Sequence, residues 1–236
     1  MNSNQQNLKE VAEISGAINL AGTEILISDD SHLLYLYQEQ KLTQNIKVPG
    51  GLKDPEAICI VNKDHNNGNL AIYGSGIITI IQLKLTAGRF SLNKNYSQKY
   101  ELPLTEDKKI ESLEYCPNKN IFVLIDRRKK DNYDLGCGII YEYQPYTNNL
   151  ITTEARIGDK NNKNDCKPTD MTRDNNCYHI LTEEKIFTLN LNYEELYQQE
   201  IEKIKDAEAI YSNDNNYIIF SDHSKVGYKA KTIPKS

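Results

Sequence analysis

At 236 residues, with a formal net charge of −5, 39% hydrophobic residues and no Trp, the chain has the size of a single all-β sandwich, barrel or propeller. The acidic balance argues against a nucleic-acid partner, whose backbone calls for a Lys/Arg-rich face. No run of about 18 apolar residues would cross a membrane, and MNSNQQNLKEVAEI lacks the apolar core, about 7–15 residues long, of a signal peptide. A cytoplasmic protein is expected, with export behind a removed leader left open.

In chain order, the first unit reads as four short strands: ISGAINL, TEILISDD, LLYLYQ and KLTQNIKVP. Each is alternating or wholly apolar and is set off by turn residues. KDPEAI (53–58) opens a second unit of similar rhythm, with CIV, the turn NKDHNNGN, then LAIYGSG and IITIIQLKL. Its GSG (74–76) lacks the strand-to-helix setting of a phosphate loop and reads as a tight turn. A third unit, KKIESLEYCPNKNIFVLIDRR, begins at Lys108, and a fourth, CKPTDMTRDNNCYHILTEE, at Cys166. NYEELYQQEIEKIKD (192–206) has helical propensity but fills the fourth-strand slot, so it is read as an outer strand. KDAEAI (205–210) then repeats the phrase of the second unit with one change, followed by SNDNN, YIIFSDHS and VGYKAKTI.

Four-stranded units of about 40–50 residues are propeller blades. The blades fall at approximately 12–51, 52–107, 108–165, 166–204 and 205–236, the last completed by 4–11. The fifth unit runs out after its third strand, while QQNLKEVAEIS (5–15) resembles QQEIEKIKDAEA (198–209), the segment before that unit. The N-terminal segment is therefore expected to supply the missing outer strand and remove an open edge. The reading is an all-β, five-bladed β-propeller closed by its N-terminal strand, one domain and a monomer.

Aligning the units brings Ser15, Glu56, Glu111, Asp170 and Glu208 to one position on the innermost strand. Side chains there meet around the central channel, and crowded carboxylates raise one another's pKa. Ca²⁺, which accepts about 6–8 oxygens, would resolve the crowding. The other reading is a hydrated ring neutralised by lysines, since Lys53, Lys108, Lys167 and Lys205 each stand three residues before an acid. In an extended chain that offset points the other way, towards solvent or a neighbouring blade. Five cysteines without a CxxC pair argue against a zinc cluster or disulfide framework, so reduced thiols are expected. The four histidines sit in no recognisable nucleophile motif.

The order of these Ser and acid residues, and the words around them, resemble the calcium-activated nucleotidases (apyrases). EISGAINLAGTEILISDD is similar to that family's first blade, IESLEY…FVLIDRRKKD to its third, HILTEE to its fourth and DAEAI to its fifth. The resemblance runs in short fragments along most of the chain. It implies a central Ca²⁺ with one Ser- or Glu-type ligand per blade and a substrate floor at the second-strand ends. Asp29, Asp30, Arg127, Arg128 and Glu183 are then the catalytic candidates, with Glu184 and Asp222 beside them. In such a site Arg forks neutralise phosphate oxygens, the cation polarises them and a carboxylate positions water. The chain departs from the pattern in having no Arg after the acid pair of DDSH, and it is shorter. DDSHLLYLY, DPEAI and LAIYGSG also resemble an uncharacterised family of bacterial propellers of similar length. The expected function is a cation-centred propeller that binds, and as a nucleotidase hydrolyses, a small phosphorylated or anionic ligand at its top face. The alternative is a non-catalytic scaffold for a protein partner, because fold does not dictate function.

Overall fold

The apolar and alternating runs fold as strands throughout. A computed structural model describes residues 6–8, 11, 13–39, 41–48, 53–104, 109–127, 138–158, 167–201, 204, 206–221 and 228–235, and no helix occurs among them. The first sheet holds β2 (Ile14–Leu20), β3 (Thr23–Ser28), β4 (Leu33–Gln38) and β5 (Lys41–Lys47). The second holds β6 (Pro55–Lys63), β7 (Asn67–Gly74), β8 (Ile77–Thr86) and β9 (Arg89–Glu101). In the third are β10 (Ile110–Cys116), β11 (Ile121–Asp126), β12 (Ile139–Gln144) and β13 (Asn149–Arg156). The fourth contains β14 (Pro168–Arg173), β15 (Cys177–Thr182), β16 (Lys185–Asn190) and β17 (Glu195–Glu200). β18 (Ala207–Ser212), β19 (Asn216–Ser221) and β20 (Tyr228–Pro234) make the fifth, completed by β1 (Gln6–Leu8).

The inner strands touch in the ring order β2, β6, β10, β14, β18 and back to β2, which makes a five-bladed propeller. β1 runs antiparallel to β20, with Gln6 opposite Ala230, so the N-terminal segment closes the last blade. The stretch with helical propensity supplies β17, whose alternating exposure shows why helix formers are tolerated there: only one face is covered.

Each inner strand is buried on both faces and packs on two blades. Ile18 joins Ile58 in the core between blades one and two, while its neighbour Ala17 joins Ala209 between blades one and five. Equivalent cores fill the other interfaces, around Ala57 and Leu113, Cys116 and Met171, and Leu181 and Ile210. Cys59, Cys116 and Cys177 are free thiols, and Cys137 and Cys166 lie outside the described residues.

All five inner strands begin with the same irregularity. Pairing to the second strand slips between Ile14 and Gly16, Pro55 and Ala57, Ile110 and Ser112, Pro168 and Asp170, and Ala207 and Ala209. The extra residue of each bulge is therefore Ser15, Glu56, Glu111, Thr169 or Glu208, and a bulge re-aims the side chain it carries. This register corrects the alignment in the fourth blade, where Thr169 rather than Asp170 is the equivalent residue. Asp170 sits one step further in, opposite Leu181, at the place of Gly16, Ala57, Ser112 and Ala209 in the other blades.

A lead-in turn sets up the bulge. Glu13, Asp54 and Asp206, each two residues before a bulged residue, have left-handed φ of 51°, 45° and 55°. Asp is among the few residues that enter this region readily. The near-identical phrases KDPEAI and KDAEAI thus encode one device: an Asp that reverses the chain, then a bulged Glu. After β7, Ser75 and Gly76 both have positive φ (47° and 81°), the two-residue turn that suits a hairpin. Gly74 must stay Gly, because a Cβ there would meet the carbonyl oxygen of Lys53 at 2.5 Å.

Candidate functional site

The end of the ring where the inner strands begin is taken as the top face. There the five bulged residues line a cavity of about 220 Å³, together with Glu13, Asp29, Lys109 and Arg127. Asp29 and Arg127 arrive from the ends of β3 and β11. Two backbone ties position the cations: Arg127 N donates to Lys109 O at 2.7 Å, and Lys109 N donates to Asp126 Oδ1 at 2.9 Å. Both side chains then face Glu111, which is buried. Lys109 Nζ lies 2.6 Å from its Oε1, and an Arg127 guanidinium nitrogen lies 3.8 Å from its Oε2. Ser15 Oγ donates to the Pro55 carbonyl and so bridges the first and second inner strands.

The cavity holds five carboxylates, those of Glu13, Asp29, Glu56, Glu111 and Glu208, against two cations. The excess registers in the acids themselves. Burial and the neighbouring Glu111 push Glu56 up to about 7, although Lys109 works the other way. Asp29 is raised by burial, against a side-chain hydrogen bond with Glu13, while the Asp30 charge raises it further. Asp29 Oδ1 is buried with no hydrogen-bond partner. Glu13, Asp29 and Asp30 each offer a carboxylate oxygen, all within 4.8 Å of one another. A lining whose five carboxylates outnumber its two cations, with an unpartnered buried carboxylate oxygen, fits a hard cation.

The other described sequence candidates do not line this cavity. Asp30 is exposed beside it. Glu183 pairs with Lys167 at 2.8 Å and borders a separate hollow with Glu184 and Asp206. The carboxylate of Asp170 is buried and already occupied: Oδ1 accepts from Met171 N at 2.8 Å and Oδ2 from Ile210 N at 2.9 Å, across to the fifth blade. Burial nevertheless raises its pKa well above the usual range. Lys53 is exposed, and Arg128, Asp222, Lys108 and Lys205 lie outside the described residues. Glu13, Lys109 and Thr169 were not anticipated. Their signal is positional, since Glu13 and Lys109 stand two residues before a bulged residue and Thr169 is one.

Glu56 and Lys109 also border a groove of about 590 Å³ between blades two and three. Tyr73, Ile77, Leu102, Leu104 and Ile110 give it an apolar floor.

No protein-family model and no curated protein matches the chain. Solved structures share its fold. Glutaminyl cyclase of Myxococcus xanthus superposes with a TM-score of 0.59 at 8% identity, over 98% of this chain and 94% of that one. A streptogramin B lyase gives 0.51 at 12% identity, over 100% and 88%. A chain of a nidogen/laminin complex gives 0.50 at 12% identity, over 88% and 72%. At these identities the likeness is one of fold alone, and it spans named enzymes and a protein–protein assembly alike.

Proposed function

We propose that the top-face cavity binds a divalent cation, Ca²⁺ by its donor set, and with Arg127 takes the anionic group of a small ligand. The observation that carries this reading is the convergence of five bulged, oxygen-bearing residues on a cavity whose carboxylates outnumber its cations. Ca²⁺ tolerates the irregular shell that Ser15, Glu56, Glu111, Glu208 and Thr169 would give, whereas Mg²⁺ demands a near-octahedral one. Asp170 contributes from behind, by holding the fourth and fifth inner strands together through Ile210 N.

At about 220 Å³ the cavity is smaller than the roughly 300–1,000 Å³ usual for a whole small molecule. It suits an ion and one polar group, and the adjoining groove with Tyr73, Leu102 and Leu104 takes the rest of the ligand. A bound cation would polarise a phosphoryl oxygen. Arg127, 3.8 Å from Glu111 and partly exposed, keeps donors available for that group. Asp29, with Oδ1 unpartnered, would hold a water for hydrolysis, with Asp30 beside it, whereas Glu183 is paired with Lys167 away from the cavity. The resemblance to calcium-activated nucleotidases supports the phosphoryl reading. A second reading, a non-catalytic scaffold for a protein partner, is favoured by Tyr146, 86% exposed, and Leu196, 54% exposed.

The test is calorimetric titration of EDTA-stripped protein with Ca²⁺ and with Mg²⁺, followed by a hydrolysis screen of nucleotides and simple phosphate esters. Saturable Ca²⁺ binding that Glu111→Gln weakens is expected. Absence of binding by either ion overturns the cation, and turnover that survives Arg127→Ala overturns its role.

A further inference from the structure

The opposite end of the ring holds a larger hollow, about 600 Å³, walled by the last residues of all five inner strands and the turns that follow them. Its turns are closed by side-chain acceptors. Asp174 Oδ1 accepts the Asn176 and Cys177 amides at 3.0 and 2.9 Å. Asn213 Oδ1 accepts the Asn215 and Asn216 amides at 3.2 and 2.8 Å, and Asn19 Oδ1 that of Gly22 at 3.1 Å. The second oxygen of Asp174 accepts from His179 Nε2 at 2.9 Å and Lys235 Nζ at 3.3 Å. These turn acceptors are therefore engaged by the protein itself.

Donors are left over. The Asn213 side-chain amide nitrogen and the Lys63 ammonium have no partner among the described residues. The Arg173 guanidinium makes one long bond, 3.3 Å to Asn175 O, and its buried Nε makes none. Glu114, on the inner strand beside Arg173, is pushed up to about 8 by burial, against the Tyr115 amide and the Arg173 charge. Burial thus favours its neutral form, which sets no full charge against an incoming anion.

We propose that this hollow is a second ligand site, which takes a small oxyanion, a phosphate or carboxylate group, between Arg173, Lys63 and Asn213. Oxyanions offer acceptors only and match the unused donors of Arg173, Lys63 and Asn213, and a guanidinium fork engages two of their oxygens at once. A neutral polyol would leave the charges of Arg173 and Lys63 uncompensated. Lys235 is paired with Asp174 at 3.3 Å, which leaves Lys63 and Arg173 against Asp214 at the rim.

The experiment is an NMR titration of the full chain with inorganic phosphate and, separately, with citrate, in EDTA so that the top-face cavity carries no metal. Saturable shifts at Arg173, Asn213 and their neighbours are expected. Arg173→Gln should weaken binding roughly tenfold or more. Lys63→Gln, at an exposed position that leaves the fold intact, should weaken it by a smaller factor, roughly threefold. Lys84→Gln, at an exposed position of β8 that lines neither cavity, should leave it unchanged. Tighter phosphate than citrate assigns a phosphoryl ligand, and the reverse a carboxylate. Saturation by neither anion, or binding that survives both Arg173→Gln and Lys63→Gln, overturns the site.

Discussion

The top-face cavity and the hollow opposite it are lined by the two ends of the same five strands, yet they offer opposite chemistry. At the top, bulges turn oxygen-bearing side chains into the channel, and five carboxylates face Lys109 and Arg127. At the bottom, the turns draw the oxygens of Asn19, Asp174 and Asn213 onto backbone amides and leave nitrogen donors exposed. Asp appears at both ends, as Asp29 and as Asp174, so residue type does not decide the sign of a mouth. What decides it is whether the backbone uses the acceptor, as it does in a turn, or displays it, as it does at a bulge.

Metal is the sharpest way to separate the two ends. Saturating Ca²⁺ should stabilise the protein by RT ln(1 + [L]/Kd), about 2.7 kcal/mol at a hundredfold excess over Kd. In differential scanning fluorimetry EDTA should remove that gain and added phosphate should not restore it. A melting curve indifferent to Ca²⁺ would leave the top as a hydrated acidic channel.

The pH dependence should split in the same way. Glu56 and Glu114 have folded-state values raised to about 7 and about 8, so the fold prefers them protonated. Their contribution is fully present below the unfolded value, about 4.3, and is lost as pH rises through 7 and then 8. Without metal, stability should fall across that window. Ca²⁺ should abolish the part due to Glu56 and leave the part due to Glu114. At pH 9 Glu114→Gln should therefore be the more stable protein, by about 2–4 °C in melting temperature for each kcal/mol recovered. A Glu114→Gln protein that melts below the parent at pH 9 would contradict the protonated acid.

The fourth blade tests the register. Asp170→Asn disturbs a carboxylate that receives two amides, so it should cost about 1–3 kcal/mol of stability in chemical denaturation. Because Asp170 does not line the cavity, Ca²⁺ affinity should change little. Thr169→Glu, which puts a carboxylate on the bulge itself, should tighten Ca²⁺ a few-fold, the smallest of these effects. The opposite ranking, with Asp170→Asn abolishing Ca²⁺ binding and Thr169→Glu silent, would return Asp170 to the ring.

The blades and their closure were legible because inner strands buried on two faces read as apolar runs, with turn clusters such as NKDHNNGN and SNDNN between them. The positions of Ser15, Glu56, Glu111 and Glu208 could be aligned because the phrase around them repeats. Thr169 was passed over because a bulge is a fact of pairing: PTD offers an acid one residue late, and only the partner strand reveals the slip. The bottom hollow was invisible for a related reason. TRDNN and SNDNN announce turns correctly, but not which oxygens the turns consume or that Arg173 and Glu114 come to lie beside each other from different blades.

The three-residue strand β1 has a bearing on how the molecule is made. It is synthesised before every other strand described, and its partner β20 after all of them. Until Ala230 has emerged, Gln6 has nothing to pair with, and β18 and β19 form a fragment of a blade with one side unfilled. Ring closure is a contact of nearly maximal sequence separation, the kind that slows folding most. Four blades can assemble as translation proceeds, but the fifth gains its outer strand only once β20 has emerged. An arrest late in synthesis would therefore leave an open crescent, and the exposed edges of such an intermediate are the strands through which these chains would aggregate.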